Sequence, residues 1–220
     1  MTVLEVLPFS SVGAAGSTPI NLTVKGTPNV ELFGKLYSTS HMRSDRWYKL
    51  GRMVMYGSLE DERPFNSVRR LTEYEDYILR YLQDYGIPSA GPYGVVELMP
   101  EREYLIVTEF LEGSREILDP EVSIDRETAA SGLSIVRSLW KAGLAHRDIK
   151  PSNLLVRENR AYLIDAAFCE VRPTSWRQAV DLANMMLVLG LRLDPEIVYQ
   201  EAVRTFSEKE IGEAFAATTA

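Results

Sequence analysis

His146-Arg147-Asp148-Ile149-Lys150-Pro151-Ser152-Asn153 is the stretch on which the reading of this 220-residue chain turns. It sets a carboxylate, a primary amine and a carboxamide close together, between two elements of different period. Upstream, Ala129, Leu133, Val136 and Trp140 recur at three- and four-residue spacing, which predicts a helix over 126–142 with Gly143 just past its end. Downstream, LLV (154–156), the polar RENR and AYLID (161–165) predict a short hairpin that returns the chain to Asp165. A lone His-Arg-Asp is ordinarily a surface turn with an ion pair. Here Lys150, Asn153 and Asp165 accompany it.

The first 37 residues read as strand, glycine-containing loop, strand, turn and strand. VLEVLPF, PINLTVKG and NVELFGKLY supply the strands, SSVGAAGST the loop and Gly26-Thr27-Pro28-Asn29 the turn. A helix is predicted over 44–56, with Ser44 as cap and Trp47, Leu50 and Val54 on one face. A second is predicted over 66–84, where Val68, Leu71, Tyr74, Ile78 and Leu82 form a stripe that Gly86-Ile87-Pro88 stops. VVEL (95–98) and YLIVTEF (104–110) read as a hairpin. The remainder is helical: AVDLANMMLVLGL is apolar nearly all round and predicts a buried helix. Asp194-Pro195 opens another helix, Ser207 and Glu210 form a capping box for the last, and the tail AFAATTA is expected to fray. The expected class is α+β, with a strand-rich first half of residues 1–110 and a helix-rich second half of 111–220.

Bulk composition narrows the function. The residues are 45% apolar and 25% charged, as in ordinary globular proteins. A net charge of −7 argues against nucleic acid as a partner, because phosphate backbones require a basic footprint. The single cysteine, Cys169, permits no intrachain disulfide and fits a cytoplasmic location. MTVLEVLPFS has no basic stretch before its apolar residues and does not read as a signal peptide. LANMMLVLGL (182–191) is too short to cross a bilayer.

HRDIKPSN resembles the catalytic loop of protein kinases, H-R-D-x-K-x-x-N, in a matching context of preceding helix and following hairpin. The resemblance implies a bilobal protein-kinase-like fold, with an antiparallel N-lobe sheet, an αC-type helix and a shortened, mainly helical C-lobe. It implies Mg2+ and ATP as cofactors and transfer of the γ-phosphate to a hydroxyl acceptor on a protein Ser or Thr, a lipid or a sugar. Under it Asp148 accepts the hydroxyl proton and Lys150 neutralises charge on the γ-phosphate. Asn153 and Asp165 hold magnesium, Asp165 at the position of the DFG aspartate.

In the first half, the resemblance assigns the ATP-gripping lysine to Lys35, with Lys25 and Lys49 as rivals. It assigns the partner glutamate to Glu75 rather than Glu73, because Glu75-Asp76-Tyr77-Ile78-Leu79 fits E-x-x-I-L. Gly13 and Gly16 would form the phosphate-covering loop, although the usual G-x-G-x-x-G is incomplete. YLIVTEFLEG (104–113) is similar to the strand entering the kinase hinge. Thr108 would then be the gatekeeper, and Glu109, Phe110 and Leu111 would offer backbone groups to adenine, with Leu155 also contacting the nucleotide. Asp181 matches the aspartate that hydrogen-bonds the catalytic-loop backbone in the family.

The resemblance is strong over 144–165 and weak before residue 80. It departs from the family at Asp165-Ala166-Ala167 in place of DFG, in the sixteen-position step from Asp165 to Asp181, which leaves no room for a long activation loop, and in the short remainder after Asp181. These features are similar to small atypical kinases of the RIO and lipopolysaccharide-core types and to kinase-like domains of bacterial membrane proteins. The latter resemblance implies work at the inner face of a membrane, where Arg43, Arg46, Lys49 and Arg52 would help the chain dock; a plain solvated helix face is the alternative. The competing function is a pseudokinase, an ATP-binding regulatory or scaffold module without turnover.

Overall fold

The computed structural model describes residues 2–8, 17–39 and 67–218. Gly13, Gly16 and the helix expected at 44–56 lie outside the described residues. The chain forms two compact units: Met1–Tyr77 with Gly91–Phe110, and Ile78–Ala90 with Leu111–Ala220. The second thus takes in 78–90, which the sequence reading places with the first. The reason is visible in the bonding of that segment. The Tyr81 hydroxyl donates to Ala142 O (3.0 Å) and Leu163 N–H donates to Pro88 O (3.0 Å), while Ile78, Leu79, Leu82 and Ile87 are buried.

The first unit is built on a five-stranded antiparallel sheet in the order β1-β2-β3-β5-β4. Its strands are β1 (Val3–Pro8), β2 (Thr18–Val24), β3 (Val30–Ser38), β4 (Pro92–Met99) and β5 (Glu103–Glu109). β3 pairs with β5 in a register that sets Phe33 against Thr108, Lys35 against Ile106 and Tyr37 against Tyr104. Directly opposed residues share a face, so these six line one side of the sheet. The other side carries Leu22, Val24, Leu32, Leu105 and Val107, with Ile20 and Leu36 packed against them. Gly34 lies on this apolar side, where a Cβ would sit 2.8 Å from Ile20 Cγ1 and 2.9 Å from Leu105 Cδ1. β5 is buried on both faces from Tyr104 to Thr108, which explains why YLIVT is a continuous run rather than an alternation.

Helix α1 (Val68–Asp84) follows the predicted span. Its most buried residues include Val68, Ile78 and Leu82 but also Thr72 and Glu75. The buried stripe is therefore rotated towards two polar residues that an apolar count passes over. Thr72 satisfies its hydroxyl on Val68 O at 2.7 Å.

The second unit packs α2 (Arg126–Lys141), α3 (Ser175–Gly190), α4 (Pro195–Thr205) and α5 (Glu208–Ala217) with two small sheets. One sheet is β6 (Arg115–Glu116), β8 (Leu154–Arg157) and β9 (Arg160–Leu163); the other pairs β7 (Leu144–Ala145) with β10 (Glu170–Val171). α2 starts at Asp125, whose carboxylate accepts from Thr128 N–H (3.0 Å), and stops before Gly143 in the left-handed region (φ +68°). Its buried stripe contains Ala129, Leu133, Val136 and Leu139. α5 begins with the predicted reciprocal Ser207–Glu210 box. It runs on to Ala217 rather than fraying from residue 214, because Ile211 and Ala214 are buried. α3 differs from its prediction. It packs against α2, α4 and α5, yet Leu187 is 63% exposed, so its composition overstates its burial.

Candidate active site

In the first unit, β3 and α1 bring Lys35 and Glu75 together. Lys35 Nζ donates to Glu75 Oε1 at 2.8 Å. Tyr37, two residues along β3 and on the same face, donates its hydroxyl to Glu75 Oε2 at 2.6 Å. Glu75 is 1% exposed, so its carboxylate depends on these donors. Glu73, the rejected rival, is exposed and bonds Arg69 Nε. Lys25, a rival to Lys35, is exposed beyond the end of β2; Lys49 lies outside the described residues. Tyr37 was not among the sequence candidates, although its two-residue spacing from Lys35 is the signal that puts it on the same face.

Thr108 is buried at the end of β5, with its hydroxyl near Glu109 O (3.3 Å). Glu109 N–H donates to Gly91 O at 2.7 Å, and Leu111 C=O accepts from Ser114 N (3.1 Å) and Oγ (2.5 Å). Those two backbone groups are already spent, which narrows what the segment Glu109–Leu111 can offer a ligand. Phe110 is half-buried and Leu111 buried.

In the second unit, a single turn gathers three of the sequence candidates. Lys150 Nζ donates to Asp148 Oδ2 at 2.7 Å. Asn153 Nδ2 donates to the same oxygen at 2.9 Å and to Asp148 O at 2.8 Å. The turn is shaped by the short 3-10 helix Pro151–Asn153, with Pro at its start. Asn153 is 5% exposed; with its amide N–H group committed to Asp148, its Oδ1 is the atom suited to ligate a cation. Ile164 N–H donates to Asn153 O (3.0 Å), so the β8–β9 hairpin sets Asp165 one residue beyond that bond. Leu155, opposite Glu116 and Tyr162 in its sheet, is half-buried.

Arg147 (φ +67°) and Asp165 (φ +66°) adopt left-handed backbone, as do Glu158 and Asn159 in the turn between β8 and β9. That conformation costs about 1 kcal/mol or more per residue and must be held by its surroundings. Arg147 is held by Asp181. The Asp181 carboxylate accepts Arg147 N–H through Oδ1 (2.8 Å) and His146 N–H through Oδ2. Asp181 is fully buried on α3, and burial pushes its carboxyl up to about 7 against the opposing pull of the Arg147 and His146 N–H groups. Arg147 Nε also lies 3.6 Å from Glu170 Oε2, and Arg177 Nε lies 4.0 Å from the same oxygen.

Among the described residues, no group of three or more His, Cys, Asp or Glu side chains forms a metal centre. Asp165 and Asn153 instead fit the sparse oxygen donor set of magnesium, which is held by one or two protein groups together with substrate phosphates. No helix among the described residues is long and apolar enough to cross a membrane.

A 115-residue stretch is 31% identical to KEOPS complex subunit Bud32 of Pyrococcus abyssi (strain GE5 / Orsay). The match takes in 49% of this chain and 49% of Bud32, so the chain spans about half the length of the curated relative it matches. No family model matches the chain. Bud32 is an atypical protein-kinase-like protein, and the likeness supports a place for this chain in the kinase-like superfamily. It does not extend to a bacterial branch within it. The antiparallel sheet and the five helices among the described residues are compatible with a kinase-like fold.

Proposed function

We propose that the chain is an ATP-dependent phosphotransferase that moves the γ-phosphate of Mg-ATP to a hydroxyl acceptor. The observation that carries this reading is the convergence of Lys150 Nζ and Asn153 Nδ2 on one carboxylate oxygen of Asp148. Two donors fix the orientation of that carboxylate, as positioning a general base requires. The likeness to Bud32 supports ATP and magnesium use in general terms.

In this reading the acceptor oxygen attacks the γ-phosphorus, the bond from that phosphorus to the β,γ-bridging oxygen breaks, and ADP departs. Asp148 receives the acceptor proton. Lys150, half-exposed beside Asp148, turns its ammonium to the charge that develops on the transferred group. Lys35, held by Glu75, engages the α- and β-phosphates. Asp165 and the Asn153 amide oxygen would hold magnesium, which when bound would supply positive charge to the phosphates.

Transfer from γ-labelled ATP is the test. Asp148→Ala is expected to lower the rate about a hundredfold to ten-thousandfold, the range associated with general-base help, and Asp165→Ala to abolish magnesium-dependent ATP binding. Wild-type protein that neither transfers the label to protein, lipid or sugar hydroxyls nor hydrolyses ATP would overturn the reading. A nucleotide-binding module without turnover is the second reading, favoured by Asp165-Ala166-Ala167 in place of an aromatic–glycine pair. It expects ATP to raise the melting temperature equally in wild type and Asp148→Ala, with no transfer by either.

A further inference from the structure

We propose that Tyr37 is a positioning residue for the Lys35–Glu75 pair, and this rests on the reading that Lys35 holds nucleotide phosphates. Glu75 presents two carboxylate oxygens at a buried position. Lys35 Nζ takes Oε1 at 2.8 Å and the Tyr37 hydroxyl takes Oε2 at 2.6 Å. The second distance falls in the range of charge-assisted O–H···O⁻ bonds. Tyr37 is 5% and Glu75 1% exposed, so water is a poor substitute for the phenol as the partner of Oε2.

The geometry points to a specific task. The terminal torsion of a glutamate is broad and roughly two-fold. A carboxylate held by a lysine alone can offer either oxygen, and the long lysine chain follows it. Tyr37 removes that freedom. It reaches Glu75 from the same strand as Lys35, and its ring has only two torsions. That strand lies inside the sheet, with Lys35 opposite Pro19 on one side and Ile106 on the other. Both donors therefore come from one stiff support, and the ammonium is presented in one place. Tyr37 thus acts on the nucleotide through Glu75 and Lys35.

The experiment is calorimetric titration of the full chain with Mg-ATP and, separately, with adenosine. Tyr37→Phe keeps the ring and removes only the donor. It is expected to weaken Mg-ATP binding about tenfold, as loss of one charge-assisted bond implies, and to leave adenosine affinity within about twofold. In a Glu75→Ala background, which leaves the phenol no acceptor, the same change is expected to add nothing. Equal weakening of both ligands, or an undiminished effect in the Glu75→Ala background, would reduce Tyr37 to a structural residue and overturn the proposal. Unaltered ATP affinity in Tyr37→Phe would overturn it alone, whereas wild-type protein that fails to bind Mg-ATP would remove it together with the reading it rests on. A measurement on the wild type guards against a misfolded variant. A protected Tyr37 hydroxyl proton should be visible by nuclear magnetic resonance, should shift when Mg-ATP is added and should vanish in Glu75→Ala, which leaves no acceptor; no such proton, or one indifferent to Mg-ATP, counts against the proposal.

Discussion

Asp181→Asn probes the bond system that holds the Asp148 turn. In the wild type two backbone N–H groups, those of His146 and Arg147, meet the two oxygens of one buried carboxylate. An asparagine offers one acceptor oxygen and sets an N–H2 group against the other donor. One buried N–H is left unmet, which destabilises by about 2 kcal/mol. The pH dependence adds a second signature. Asp181 has its folded value pushed up to about 7 by burial, against an ordinary 3.8. Between these values the folded state holds a proton that the unfolded state has released. The associated stability is complete below about pH 4 and is lost as pH rises through 7. Urea unfolding of both proteins from pH 5 to pH 8 should show the wild type losing on the order of 2 kcal/mol that the variant does not lose. The gap between them is therefore widest near pH 5 and narrows towards pH 8. Amide exchange at His146 and Arg147 should quicken in the variant. A pH-independent gap, or unchanged exchange at both amides, would refute the reasoning.

Gly34→Val should destabilise the first unit by about 2 kcal/mol, since its added atoms start 2.8 Å from Ile20 Cγ1 and must displace packed side chains; a denaturation midpoint within error of wild type would contradict this. Arg137 forks onto both oxygens of Glu210 at 2.9 and 2.8 Å and also donates to Thr205 O, so Arg137→Ala should lower stability by about 2 kcal/mol, and Arg137→Lys should recover little of it because an ammonium cannot make the fork. The Arg137 bond holds the Glu210 carboxyl down to about 2 from an ordinary 4.5. That contribution, on the order of 1 kcal/mol after allowance for its solvent exposure, is complete above pH 4.5 and lost as pH falls towards 2. A midpoint that does not fall over that range faster in wild type than in Arg137→Ala would contradict it.

The legible parts of the fold were those whose local signals agree. The Ser207–Glu210 box, the Asp194-Pro195 start and the strand pattern around Gly26–Asn29 each state an element and its end, and the elements stand within a residue or two of expectation. Residues 78–90 group with the second unit through bonds, Tyr81 to Ala142 and Leu163 to Pro88, that join positions 61 and 75 residues apart. Spacing along a chain carries no trace of such contacts. Leu187 misled for a related reason, as composition reports what a helix could bury and not what its neighbours cover. At the site, the Asp148–Lys150–Asn153 turn was legible because its members lie within six residues. Lys35 with Glu75 required choosing among several lysines and glutamates forty residues apart. Tyr37 escaped notice because a tyrosine in a strand reads as core until its hydroxyl is seen on a carboxylate.

The segment after Asp165 carries a further consequence. Ala166 and Ala167 are buried, and five residues past Asp165 the chain is stitched to Ala145 as β10. A conformational toggle needs two resting places that differ in what they enclose. Here an exchange would trade one methyl group for another, and the short tether allows neither to travel far. Under the proposed function, any control over this site would therefore act on access of ligands or at a surface elsewhere on the chain, and not through this segment.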